Sequence, residues 1–499
     1  MTTSTLAPLL GATAFAGELL ELAGLLLPRI VEMGRLLTAF QRGAVTPSTT
    51  YAFENALRDQ LRQVGREIVS WVYNHLEPST VHDMPAQLGV EAEWYRRRPK
   101  SPRNRLATLF GSIVLWRYLY EPLATAERSI FPLEMRLGVV AGLATPALAA
   151  RVGHWSADHT QSGVVANLQR EHGIRWGTSS LRKVTAAVSA GLAEQRHAVQ
   201  VAQVVAWLHQ ARASKGRHRP VLSVGRDGIF LPLRDDEEYR EGATATVSVL
   251  DRRGRRLGTV YLGCMPEPGQ GTLSQQLTQL LKAVLQQAGP DLPRLEYVTD
   301  GGYHPTRYYE EVLQQMVDPR QPPRRLNWIW VIDFYHACLY LTKLAEALFG
   351  ELNRGAQAWS HKMRQWLRDK PRGLGRVLHS AAALHARWEL SAAEEKTYAK
   401  AYAYLSKRRQ FMDYAGYRKQ GLAMGSGITE AACKTVFSQR LKLSGMKWQG
   451  EGGQVILDLR VLRLSGVWDE AHRAYLAARE RPEVATIGVM GRAEAQKVA

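Results

Sequence analysis

The chain has 499 residues, 45% of them hydrophobic and 22% charged, the make-up of an ordinary globular protein with cores for roughly two to four domains. Lys and Arg number 65 against 46 acidic residues, a formal net charge of +19; this points to a polyanionic partner, most simply nucleic acid, over a merely solvated basic surface. Cys264, Cys338 and Cys433 lie far apart with no CxxC pair, which argues against a zinc ribbon or a disulfide framework and for a reducing, cytoplasmic compartment.

In chain order, LAPLLGATAFAGELLELAGLLLP is long and apolar, but Glu18 and Glu21 interrupt it and no basic segment precedes it. It reads as an amphipathic helix, neither a signal nor a membrane span. Residues 1–105 read as a helical region closed by the basic, Pro-interrupted run EWYRRRPKSPRNR, a linker or a DNA-facing arm. Residues 106–215 read as a mostly helical DNA-binding region. TLFGSIVLWRYLY within it suggests a pair of short strands, and helices return from ERSIFPLEMRLGVVAGL. The stretch 161–191 has a helix-turn-helix outline: an apolar-periodic helix, a turn at Gly173, then a capping cluster at Thr178 to Ser180 opening a helix with Arg182 and Lys183. Any helical hairpin can show that outline.

After the charged linker HQARASKGRHRP the texture changes. PVLSVGRDGIFLPL reads as a strand, and ATVSVLDRRGRRLGTVYLG as a hairpin turning near Arg253-Gly254. TLSQQLTQLLKAVLQQAG reads as a helix, RLEYVTDGG as a strand, TRYYEEVLQQM as a short helix and RLNWIWVIDFYH as a strand. These place the first part of an α/β core at 216–338, a helical insertion at 339–423, a completing segment at 424–480 and a poorly ordered tail at 481–499.

Strands of this core carry acids: Asp227 in the first, Asp300 closing the fourth and Asp333 closing the fifth. Glu430 opens a helix after Gly425-Ser426-Gly427. In a sheet of this order the first and fourth strands are neighbours, so their carboxylates would converge, with the helix adding a third. Clustered, unpaired carboxylates persist when divalent cations neutralise them. Hard oxygen ligands suit Mg²⁺ or Mn²⁺, and two such ions about 3.5–4 Å apart suit in-line attack on a phosphodiester. Each acid also has a plain reading: Asp-Gly marks turns, and a Glu in a first helical turn complements the helix dipole.

The strings LSVGRDG, VTDGG, VIDFYHA, GSGITEAACK and RLKLSGMKWQGEGGQVILDLRVL, with FPLEMRLG upstream, resemble the RNase H-like core of DDE transposases. They are most similar to the bacterial insertion-sequence transposases of the ISKra type, distant relatives of the Mutator-like group. The resemblance covers roughly Phe131 to Trp468 and rests on the order and spacing of the strings. It implies an α/β RNase H-like catalytic core with an all-α insertion, preceded by a mostly helical DNA-binding region. It also implies that Asp227, Asp300 and Glu430 are the catalytic, metal-holding triad for two Mg²⁺ or Mn²⁺ ions. Related groups carry a Cys or Asp, two residues, then His; Asp333 and His336 match it as supporting residues. An assignment with Asp333 in place of Asp300 stays open, as does a half-buried, satisfied His336. The chain lacks the cysteines that relatives often carry ahead of the FPL element, and has Glu134 where they often have Asp.

The implied activity is phosphodiester hydrolysis at transposon ends followed by strand transfer. The implied partners are double-stranded terminal repeats and target DNA, bound by a homodimer or higher oligomer with no membrane involved. Arg182 and Lys183 would serve end recognition. Arg440, Lys442, Lys447 and Trp448 would lie beside the scissile phosphate, unless Trp448 is core and the cations a solvated face. Two other classes share these features: a non-catalytic DNA-binding regulator derived from a transposase, and a structure-selective nuclease.

Overall fold

The structure is a computed structural model describing residues 6–90, 93–99, 102–124, 128–234 and 236–480; the tail expected at 481–499 lies outside them. Two compact units divide the chain, residues 1–190 with 473–499, and residues 191–472.

The first unit opens with α1 (Leu6–Arg42) and α2 (Pro47–Asn74). Where α1's side chains are described, Leu22, Leu26, Arg29, Met33, Leu36 and Phe40 are half-buried, with Glu32 beside them; these six are alternately four and three apart, the seam spacing of a coiled-coil hairpin. Phe40 stacks on Phe53 at 4.2 Å and Arg29 pairs with Glu67 at 2.8 Å. Thr46 and Thr49 form a capping box that starts α2. Among the described residues no helix is long and apolar enough to cross a membrane.

Beyond α2 the expected helical region gives way to strands. β1 (Gln87–Val90), β2 (Glu93–Arg97) and β5 (Tyr120–Pro122) form an antiparallel sheet, and β3 (Asn104–Thr108) and β4 (Gly111–Leu115) a hairpin. The hairpin is the expected strand pair, displaced toward the N-terminus. The basic run from Glu93 is not a linker: it begins as β2, which buries Tyr95 while Arg97 donates to the carbonyls of Val81 and Met84. The arginines hide an alternating strand pattern because their charged heads find backbone partners and their stems pack.

Four helices follow: α3 (Pro132–Arg136), α4 (Pro146–Asp158), α5 (Gln161–His172) and α6 (Thr178–Ala213), the last crossing the boundary between the units. Thr160 caps α5, and Gly173 ends it in the left-handed conformation at φ 65°, as a C-terminal glycine does. Leu148, Val152, Val164, Leu168, Leu181, Val184 and Val188 are buried, and the Ser156 and Thr185 hydroxyls meet at 3.2 Å. Arg182 and Lys183 stay on the exposed face, with Arg182 donating to Gln161 at 3.1 Å. Residues 161–191 thus hold two helices separated by a turn at Gly173.

The second unit is built on β6 (Val221–Pro232), β7 (Tyr239–Leu250), β8 (Arg256–Cys264), β9 (Arg294–Thr299) and β10 (Trp328–Ile332), in the order β10-β9-β6-β7-β8. β6, β9 and β10 run parallel, and β7 is antiparallel to both neighbours. The first and fourth strands of the unit are neighbours, as expected. α7 (Gly271–Gln287) joins β8 to β9 and buries Leu273, Leu277, Leu280, Leu281, Val284 and Leu285. α8 (Tyr303–Tyr308) and a π-helical turn precede β10. The helical insertion is α9 (Phe334–Phe349), α10 (Arg354–Asp369), α11 (Gly373–His385), α12 (Ala392–Lys407) and α13 (Tyr414–Gln420). α14 (Gly427–Ala432), a π-helical turn over Cys433–Ser438, α15 (Gln439–Leu441), α16 (Gly450–Leu464) and α17 (Trp468–Arg479) follow. A separate apolar cluster around Leu231, Met265, Phe437, Leu457 and Val461 seats α14 to α16.

One acid of the sheet is buried outright. Glu296 of β9 is 0% exposed and neither carboxyl oxygen meets a partner at hydrogen-bond geometry, although Ser223 is its register partner on β6. Burial pushes its carboxyl from 4.5 up to about 8. The folded state thus holds a proton that the unfolded chain releases. The contribution of this group to stability is greatest below about pH 4.5 and is lost as pH rises toward 8, by on the order of 5 kcal/mol. Glu296→Gln should flatten that loss, raising the urea midpoint at pH 8 more than at pH 5; equal shifts at both pH values would refute it.

Candidate active site

Sheet register sets three acids in a row. β6 pairs with β9 up to Gly225 opposite Val298, and Asp227 and Asp300 each lie two residues beyond that pair. β9 pairs with β10 up to Thr299 opposite Ile332, and Asp300 and Asp333 each lie one residue beyond. Neighbouring strands lie about 4.8 Å apart. Asp300 therefore stands between the other two, and Asp333 is two strands from Asp227.

Glu430 reaches the row on α14, which lies directly on β6 and β7. The Thr429 hydroxyl meets that of Thr246 at 2.8 Å. A Cβ on Gly225 would stand 1.9 Å from the Thr429 oxygen, so the glycine of LSVGRDG is what lets the helix this close. Asp227 takes a bond from its neighbour Gly228 N–H at 2.8 Å and one from the Cys433 thiol at 3.3 Å. Burial, with smaller contributions from the charges of Asp300 and Glu430, pushes the Asp227 carboxyl up from 3.8 to about 6. Burial first and Asp227 second drive the Cys433 thiol upward, so it stays protonated and serves as a donor. Asp300 accepts from Gly302 N–H at 2.8 Å. Among the described residues, none of Asp227, Asp300 and Glu430 forms an ion pair with a Lys, Arg or His.

Asp333, read from the sequence as a supporting residue, lies inside the fold. It is 0% exposed and caps α9, accepting from the His336 backbone N–H at 2.6 Å. Its other oxygen accepts from the Ser426 N–H and from the Ser426 hydroxyl, the latter at 2.8 Å. The His336 imidazole does not bond it and instead lies among rings, 5.5 Å from Tyr340 and 5.8 Å from Tyr404. A carboxylate ending a buried strand needs donors, and the first turn of the next helix supplies them. The same Ser426 Oγ lies 2.9 Å from Glu430 Oε1. A hydroxyl has one proton and here faces two carboxylate oxygens. Ser426 thus ties the position of Glu430 to the buried Asp333.

The insertion grips the end of β9. The Tyr404 hydroxyl donates to the Asp300 carbonyl at 2.6 Å, and Arg408 to the Gly301 carbonyl at 2.7 Å. Gly301 has φ 75°, and a Cβ there would stand 2.6 Å from the Arg408 Nε.

Of the cations expected beside the phosphate, Lys442 and Lys447 are exposed, but Arg440 is only 1% exposed. Its guanidinium lies 5.1 Å from the centre of the Trp448 ring. Trp448 is half-buried, donates its indole N–H to the Leu441 carbonyl at 3.0 Å and accepts at its own carbonyl from Arg234 N–H at 2.9 Å. Arg440 and Trp448 therefore pack the turn between α15 and α16, because an Arg side chain stacked on an aromatic ring tolerates burial.

The sequence reasoning missed Ser426, Cys433, Tyr404 and Arg408. Ser426 and Cys433 lie inside the quoted string GSGITEAACK, four and three residues from Glu430, so helical spacing was a usable signal. Nothing local marks Tyr404 or Arg408. The expected convergence on metal is not met by the side-chain positions: among the described residues no group of three or more His, Cys, Asp or Glu is placed to hold a metal ion. The donor set still fits a hard divalent cation in kind, being carboxylate oxygens without counter-charge. No protein-family model matches the chain, and no curated protein matches it.

Proposed function

We propose that the chain is a DDE-type DNA transposase with an RNase H-like core, binding the ends of an insertion sequence and cutting and joining phosphodiesters there. The observation that carries this reading is the row of acids at the parting of β6 and β9, with Glu430 delivered by α14 and no cationic partner in a protein of net charge +19. The strand order, with the second strand of the unit antiparallel, supports it.

Asp227, Asp300 and Glu430 would hold Mg²⁺ or Mn²⁺, which when bound supplies Lewis-acid stabilisation to the attacking and leaving oxygens. The chain's own part is positioning. Ser426 and Asp333 hold Glu430, Cys433 holds Asp227, and the Tyr404 and Arg408 contacts hold the main chain at Asp300. Helix α6 presents Arg182 and Lys183 for the terminal repeat, and the working form would be a homodimer or higher oligomer on DNA. The test is a supercoiled plasmid carrying the DNA that flanks the gene: Mg²⁺-dependent release of a 3′-OH at its inverted repeats is expected. A non-catalytic DNA-binding regulator is the second reading, favoured by the absence of a preformed metal-holding group among the described residues; binding without cleavage in that assay would select it.

Removing the exposed pair with Arg182→Ala and Lys183→Ala should weaken terminal-repeat binding about tenfold and lower the salt slope by about 1.8. Cleavage of a saturated, pre-bound end should change little. Unchanged binding in gel-shift titrations would take end recognition away from α6.

A further inference from the structure

The insertion carries a groove that the cutting site does not use. It lies between the α10–α11 turn and the C-terminal end of α12, as two adjoining hollows of about 770 Å³ each that share Pro371, Arg372, Gly375 and Arg409. Arg376 and His379 line one hollow and Lys407 the other. Four full cations thus line the groove: Arg372, Arg376, Lys407 and Arg409. All four are exposed, and among the described residues none meets a carboxylate in an ion pair. The one acid in the lining, Asp413, is already the cap of α13, accepting from the Gly416 N–H.

The turn that presents these charges is tightly built. Arg372 has a left-handed backbone at φ 54°, and a Cβ on Gly373 would stand 2.2 Å from the Trp366 carbonyl oxygen. Like charges gathered along a concave wall repel one another and are relieved by a polyanion. Each hollow alone is in the size range of a pocket for a small ligand, so the continuous pair suits a charge-bearing chain better than one phosphate. The groove is also tied to the acids: Arg408, between Lys407 and Arg409, donates to the Gly301 carbonyl.

We propose that this groove seats the phosphate backbone of a second stretch of duplex DNA, apart from the phosphodiester at the acids. The inference rests on the polynucleotide reading above but not on its cleavage chemistry. Bound there, a flanking or target segment would be held by the same helix end that holds Asp300.

The test uses the full chain and a labelled duplex of random sequence, with binding followed by anisotropy over a range of salt. The variant Arg372→Gln/Arg376→Gln/Arg409→Gln should reduce the slope of log K against log salt by roughly 0.9 per lost phosphate contact, about 2 to 3 in all. Affinity at low salt should fall about tenfold or more, with the thermal midpoint kept. If the triple variant melts early, Arg409→Gln alone should give about a third of the slope change. Wild-type protein that binds while both variants match it in slope and affinity overturns the groove and leaves the polynucleotide reading standing. Wild-type protein that binds no duplex overturns both. Inorganic tripolyphosphate is the competitor: loss of its binding in the triple variant, with duplex binding unchanged, overturns DNA as the occupant.

Discussion

Asp227→Asn should abolish Mg²⁺-dependent strand cleavage while making the folded protein more stable. The loss of rate should be about 1,000-fold or more, near 4 kcal/mol of transition-state stabilisation, because the amide would remove one of the three charges that would hold the divalent cation. The gain in stability follows mainly from the burial of the Asp227 carboxyl, with the charges of Asp300 and Glu430 adding less. The folded Asp227 carboxyl sits at about 6 against an ordinary 3.8, so the fold favours the protonated form. That preference has no cost below about pH 3.8 and is fully expressed as destabilisation above about pH 6. At neutral pH it amounts to about 3 kcal/mol, which the neutral amide removes. Activity and stability should therefore move in opposite directions, with duplex binding within about twofold of wild type. The measurements are single-turnover cleavage, urea midpoints at pH 5 and pH 7.5, and anisotropy. An acid that is only a turn former would behave otherwise: its replacement would leave cleavage intact, and that result would remove Asp227 from the site.

The second large effect belongs to Asp333. Asp333→Ala strips the acceptor from the His336 N–H, the Ser426 N–H and the Ser426 hydroxyl at once, in a place with no access to water. Leaving buried donors without a charged partner costs about 3–5 kcal/mol. The variant should therefore unfold at a much lower urea concentration, and its cleavage should fall with it. Ser426→Ala separates the two roles. It keeps the backbone donor to Asp333 but frees Glu430 of its hydroxyl partner, so stability should drop by about 1 kcal/mol while cleavage drops about tenfold. Rescue of the cleavage by Ser426→Thr, which keeps the hydroxyl, marks the effect as positioning. If Asp333→Ala keeps the wild-type midpoint, the buried-cap account is wrong.

The core strands were legible because each is a compact apolar run stopped by an acid or a Gly, and the acids were legible because the strands end there. Asp300 and Asp333 end neighbouring parallel strands at one level, which the order of elements already implied. What could not be read was where an acid's second oxygen goes. Asp333 looks the same in sequence whether it faces solvent or Ser426, 93 residues away. The arginines misled in the same way: Arg440 and Arg97 count as charges in a sequence, yet one stacks on Trp448 and the other satisfies carbonyls of the chain. β1 and β2 were hidden because a short, charge-rich strand acquires its identity from the strand it pairs with. The metal-holding geometry was over-read, since register brings carboxylates to one level without closing them into a cage.

The grip of the insertion on residues 300 and 301 is entirely on main-chain oxygens. Any amino acid at position 300 would present the same carbonyl to Tyr404, so the placement of that position and the chemistry of its side chain are specified by different stretches of the chain. The insertion is free to change its length, its helices and its surface provided that one phenol and one guanidinium return to two points in space. A strand end held this way works like a socket with a standard fitting: new helical bodies can be exchanged behind it, each bringing its own surface, without the acid ever having to be placed anew.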